Sequence, residues 1–134
     1  DPKVAFVSHS TFGQPLTSRT KHIKKAVDIL KDKNVDFEFD GDMQPDVALN
    51  SEYEELYPFA KIVGKANILI MPGQHSAAIS YKLMKTIGDT KVIGPLLVGL
   101  GLPIEIAPLR TSTSELINLA SIAAYSAEKI DYNK

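Results

Sequence analysis

The chain has 134 residues, of which 44% are hydrophobic and 23% charged, with a formal net charge of −1 and no tryptophan. This is the composition of an ordinary globular domain with a core of its own, and it gives no global sign of a nucleic-acid or membrane partner. The absence of cysteine excludes disulfides, thiolate-bound zinc and thiol catalysis and fits a cytoplasmic protein, while the apolar runs are too short to span a bilayer and no signal peptide is visible.

Val4–Val7 is a short apolar run and predicts a central strand. The chain opens just before it and is read as starting at a domain boundary. Ser8–Leu16 is a polar loop broken by Gly13 and Pro15. Ile23, Ala26, Val27 and Leu30 recur at helical spacing, which predicts a helix from about Thr17 to Lys33. Asp36–Asp42 alternates with Phe37 and Phe39 pointing one way, as a strand ending at Gly41 does. Ser51 and Glu54 have capping-box spacing and predict a helix start at Ser51. Asn67–Met71 reads as a buried strand stopped by Pro72-Gly73, and a helix is expected from about Ser76 to Ile87.

Val92–Val98 and Ile104–Ile106 read as two strands joined by a glycine turn, and Ser112 and Glu115 form a second capping box. The helix that follows is apolar over a wide face, so it is expected to be well buried. Strands alternate with helices almost throughout. The expected fold class is therefore α/β, a mostly parallel sheet with helices on both faces and an antiparallel edge element. With no repeat, low-complexity segment or linker, residues 1–134 are read as a single unit.

Loops that leave a strand's carboxyl end and feed a helix are where α/β proteins hold anionic ligands. Ser8, His9, Ser10 and Thr11 form one such loop, and Gly73, Gln74 and His75 form another. The hydroxyls of the first loop can contact phosphate or a carbonyl, or satisfy the turn's own backbone. The histidines, His9, His22 and His75, lack metal-ligand spacing, and nothing in their spacing supplies the orienting partner of a serine–histidine pair. His22 lies in a basic helix and reads as solvated.

Arg19–Lys33 carries six basic residues against two acids, whereas Asp36–Glu55 carries eight acids and no Lys or Arg. Such a split fits a phosphate-rich ligand, a charge-complementary subunit contact, or two solvated faces. No aromatics interleave the lysines, and there is no dinucleotide or P-loop glycine motif.

Four stretches, VAFVSHSTFG at 4–13, DGDMQPDVA at 40–48, ANILIMPGQHSAAISYKL at 66–83 and VIGPLLVGLGLPI at 92–104, resemble the phosphate acetyl/butyryltransferase family. The resemblance covers the C-terminal part of that family's length. It implies a segment of a longer chain with the three-layer α/β/α architecture of the isocitrate/isopropylmalate dehydrogenase-like fold. In that family the loop before the last helix carries a Ser-Arg pair implicated in binding and activating coenzyme A and acyl phosphate. Here the pair falls on Pro108-Leu109, with Arg110 one residue out of register and Glu115 at the family's acidic position. Proline has neither hydroxyl nor N–H and leucine no charge, so the reactive groups are missing.

The same replacement, Ser8-x-Ser10-x-Phe12-Gly13 and Ala77-x-x-Ser80-Tyr81 look closer to the acyltransferase-like domain of bacterial NADP-dependent malic enzymes. That resemblance implies a non-catalytic domain that binds acetyl-CoA as an effector and forms homo-oligomers. It places no catalytic residue and no metal ligand in this segment. NADP and a divalent metal, magnesium or manganese, would be held upstream. The ligand edge it implies comprises Ser8, His9, Ser10, Thr11, Gly73, Gln74, His75, Pro108, Leu109, Arg110, Thr111 and Ser112. An active phosphate acetyltransferase with Arg110 standing in, and a purely structural oligomerisation module, are the competing readings.

Overall fold

The computed structural model describes residues 1–88 and 90–129. Its backbone packs as two compact units, Asp1–Lys82 and the residues from Leu83 onward. In the first unit β1 (Lys3–Val7) is the middle strand of a parallel sheet, between β2 (Glu38–Met43) and β3 (Ile68–Ile70). The register sets Ala5 beside Asp40 on one side and Leu69 on the other. Side chains alternate along a strand, so these residues share a face. On it Ala5 is wholly buried and clusters with Met43, Ala48, Ile62 and Ala66, with Phe12, Val47 and Leu69 packed against them. The small side chains let α2 (Pro45–Leu49) and the segment around Ile62 approach the strands closely.

The fold is thus α/β with a parallel sheet, as the strand–helix alternation predicts. β3 departs from expectation. Ile68 and Ile70 are 41% and 42% exposed, so this apolar strand is buried on one face only within the described residues.

Helix α1 (Ser18–Asp32) starts where the periodicity puts it. Thr17 caps it, accepting from the Thr20 N–H, while the Thr20 hydroxyl oxygen accepts from the Thr17 N–H at 2.8 Å. A threonine here does the work of the usual Glu or Gln in the reciprocal cap. Thr20 and Val27 are the buried residues of the helix.

The expected capping box at Ser51 is not formed. Asn50 is the cap instead, its side-chain oxygen accepting from Glu52 N–H, and Ser51–Glu55 is a single 3-10 turn. The preceding helix α2, which the periodicity misses, begins at Pro45, where a missing N–H costs nothing.

Helix α3 (Gln74–Ile87) begins two residues earlier than expected and runs on into the second unit. In that unit the strands expected at Val92–Val98 and Ile104–Ile106 are reduced to one antiparallel bridge, Leu96 with Glu105. Pro95 and Pro103 lack the N–H that a longer ladder needs. Helix α4 (Thr113–Glu128) is capped as expected by Ser112 and Glu115. It is not well buried: Leu119 is its buried residue, while Leu116 and Ile117 are 48% and 60% exposed. Its apolar face is wider than anything the described residues lay over it.

Candidate functional site

The segment DGD at 40–42 fastens the loop after β1, which borders a cleft of the first unit. Gly41 sits at φ +151°, and a Cβ there would lie 2.7 Å from both the Cβ and the carbonyl oxygen of Phe6 on the neighbouring strand. No larger residue fits this close approach of β1 and β2. The flanking carboxylates Asp40 and Asp42 are both buried and both satisfied. Asp40 accepts from the backbone N–H of Gly41 at 2.9 Å and of Lys61 at 2.7 Å. Asp42 accepts from the Ser10 hydroxyl with one oxygen and from the Gly13 N–H, at 3.1 Å, with the other. These two members of the acidic run hold loops in place and are not part of a solvated face.

The Ser8–Gly13 loop is fastened at several further points. Ser8 N–H donates to Met43 O at 2.9 Å and Phe12 N–H to Asp42 O at 2.6 Å, while Thr11 Oγ1 accepts from Gln44 N–H at 3.2 Å. Phe12 takes the left-handed backbone conformation, φ +49°, which carries a steric cost for a residue with a Cβ. Its ring is packed against Tyr57 and Phe59, with centroids 5.4 and 4.9 Å away. Ser8, Ser10 and Thr11 are all buried, and Ser8 Oγ accepts from the Ser10 N–H at 3.3 Å, so all three hydroxyls bond within the protein; Ser8 and the exposed His9 also border the cleft.

That cleft, about 780 Å³, opens at the carboxyl ends of β1 and β3. Gly73, Gln74, His75 and Ser76 line its second side at the start of α3, so the structure brings together the two loops singled out in the sequence. The first N–H groups of a helix lack intrahelical acceptors and carry partial positive charge. Arg19 and His22, from the first turns of α1, line the cleft as well. Sequence reasoning missed them as site residues. The available signal was their i, i+3 spacing at the start of the helix that leaves the Ser8–Gly13 loop. Among the described residues no group of three or more His, Asp or Glu is placed to hold a metal ion.

Pro108, Leu109, Arg110, Thr111 and Ser112 belong to the second unit, where they form the turn into α4. Thr111 N–H donates to Pro108 O at 3.0 Å and its hydroxyl bonds the same carbonyl, while the Leu109 side chain is fully exposed. Ser112 is committed to the helix cap: its hydroxyl oxygen accepts from Glu115 N–H at 3.3 Å, and its own N–H donates to Glu115 Oε2 at 2.8 Å. Glu115 also pairs with Lys85 at 2.7 Å. That ammonium, with the Ser112 donors behind it, pulls the Glu115 carboxyl down to about 2. Glu115 is thus held as a structural carboxylate.

The first unit is thus an α/β domain with a parallel sheet and a cleft at the sheet's carboxyl edge, between the loop after β1 and the start of α3. The chain belongs to the phosphate acetyl/butyryl transferase family, whose model, described as "Phosphate acetyl/butaryl transferase", matches residues 1–124. It is 50% identical over 126 residues to the NADP-dependent malic enzyme of Rhizobium meliloti, covering 94% of this chain and 17% of that protein. It is 33% identical to the phosphate acetyltransferase of Clostridium acetobutylicum, covering 96% of this chain and 39% of the relative. The phosphotransacetylase from Streptococcus pyogenes superposes with a TM-score of 0.87 at 32% identity, over 96% of this chain and 39% of that one. The chain thus spans well under half the length of these relatives. Among the described residues no helix is long and apolar enough to cross a membrane.

Proposed function

We propose that this chain is a non-catalytic, acetyl-CoA-binding and oligomerising domain of a cytoplasmic NADP-dependent malic enzyme. The parent reaction would convert malate and NADP to pyruvate, carbon dioxide and NADPH. Its nicotinamide and divalent-metal sites lie outside residues 1–134 on this reading, and this chain supplies none of the redox chemistry.

The observation that carries the reading is the turn at Pro108–Ser112. Acyl transfer to phosphate depends on placed positive charge and hydrogen-bond donors at the reacting oxygens. Pro108 and Leu109 offer neither, and Ser112 is taken up by its cap. Losing such a group costs on the order of 3 kcal/mol of transition-state stabilisation. The cleft of about 780 Å³ between Ser8–His9 and Gly73–Ser76, at the carboxyl edge of the sheet, supports the ligand half of the reading. The higher identity to a malic enzyme than to a transferase supports the same choice. The exposed apolar side chains of α4, Leu116 and Ile117 among them, support subunit contact.

Calorimetric titration of the intact protein with acetyl-CoA tests the ligand, and malic enzyme turnover with and without acetyl-CoA tests the regulation. Saturable binding that changes the turnover is expected; no binding overturns the proposal in favour of a purely structural module. A second reading, an active phosphate acetyltransferase, draws on Arg110, which is exposed in the same turn. Acetyl phosphate formation from acetyl-CoA and phosphate, abolished in Arg110→Ala, would establish it, and undetectable turnover would end it.

A further inference from the structure

All three histidines of the chain, His9, His22 and His75, line one cleft, and Arg19 joins them there. They arrive from separate elements: His9 from the loop after β1, Arg19 and His22 from α1, and His75 from the first turn of α3.

Two further facts point to an anion. No Asp or Glu lines the cleft. The ion pairs among the described residues are Lys3–Glu38, Lys31–Asp28 and Lys85–Glu115, so neither Arg19 nor any of the histidines has a carboxylate partner there. An arginine without an internal partner, beside imidazole N–H donors and the free amides of a helix start, is a donor set for phosphate oxygens. These exposed side chains border an open cleft of about 780 Å³ and do not form a metal-binding cluster, so the space admits an extended ligand.

We infer that Arg19 and His22, with His9 and His75 across the cleft, bind the phosphate groups of an extended phosphorylated ligand. On the acetyl-CoA reading, on which this inference rests, they hold the ligand's phosphates while the acyl-bearing arm lies beyond them. Arg19 is the dominant contact because its charge is permanent and its planar fork matches phosphate. Gln74 adds neutral hydrogen bonds from the cleft wall.

The test is calorimetric titration of the intact protein and its Arg19→Ala, His22→Ala, doubly substituted and Arg19→Lys variants. Acetyl-CoA is compared with S-acetylpantetheine, which carries the same acyl arm without phosphates. The expected result is a tenfold or greater loss of acetyl-CoA affinity in Arg19→Ala, a larger loss in the double variant and partial recovery in Arg19→Lys. S-acetylpantetheine affinity should be unchanged throughout. Equal acetyl-CoA affinity in all variants overturns the inference and leaves the acetyl-CoA reading standing. Should acetyl-CoA not bind at all, that reading fails, and titration with ADP and pyrophosphate then decides the inference alone. Binding of either, weakened by Arg19→Ala, sustains the phosphate site, and no binding removes it.

Discussion

The carboxylate of Asp42 reaches from the end of β2 into the loop after β1, where one oxygen accepts from the Ser10 hydroxyl and the other from the Gly13 N–H. Both side chains are buried, with Ser10 wholly inaccessible. This pair fixes the shape of the loop that presents Ser8 and His9 to the cleft. Asp42→Ala strands a buried hydroxyl and an amide without an acceptor. Urea denaturation should show a loss of about 2–4 kcal/mol. Asp42→Asn, which keeps an acceptor, should lose less. Equal stability of Asp42→Ala and the parent would contradict the network.

Gly41 occupies a position closed to every other residue. A methyl group there meets the Cβ and carbonyl oxygen of Phe6 at 2.7 Å, and the backbone sits at φ +151°. Gly41→Ala should therefore cost on the order of 3 kcal/mol or more, by forcing β1 and β2 apart. Thermal unfolding reads this directly. Gly101→Ala, with open space around the added methyl, is the control and should change stability little.

The helix caps make a more modest prediction. Thr17→Ala removes the acceptor for the Thr20 N–H, and Ser112→Ala the acceptor for the Glu115 N–H. Each should cost about 1 kcal/mol in chemical denaturation. The corresponding serine variant of Thr17 should retain most of the stability.

Glu115 gives a pH dependence with a definite sign. Its carboxyl is depressed from an ordinary 4.5 to about 2 by the Lys85 ammonium and the Ser112 donors. A carboxyl lowered in the folded state adds stability above its unfolded value, and that stability disappears as pH falls through the folded value. The parent should lose stability between about pH 4.5 and 2 more steeply than Glu115→Gln. Parallel melting curves for the two proteins over that range would show that Glu115 does not contribute.

The residues alone determined much of the local structure. The order of β1, α1, β2, β3, α3 and α4 follows from hydrophobic period and breakers, because backbone hydrogen bonding and side-chain alternation act over a few neighbouring residues. The cap at Ser112 is legible for the same reason. So is the chemical poverty of Pro108 and Leu109, which cannot offer a hydroxyl or a charge in any fold.

Other features depended on what lies across space. The second strand pair shrank to Leu96 and Glu105, and α4 was left largely uncovered, because pairing and burial need a partner that an apolar run does not name. Ser10 and His9 are neighbours in the chain, yet Ser10 is buried on Asp42 while His9 is exposed at the cleft. Arg19 and His22 read as members of a basic, solvated helix. Only the crossover from β1 through α1 to β2 swings them over the sheet's carboxyl edge, where they meet His9 and His75 from elements far apart in sequence. Charge identity is a property of the residue, but convergence of charges is a property of the fold.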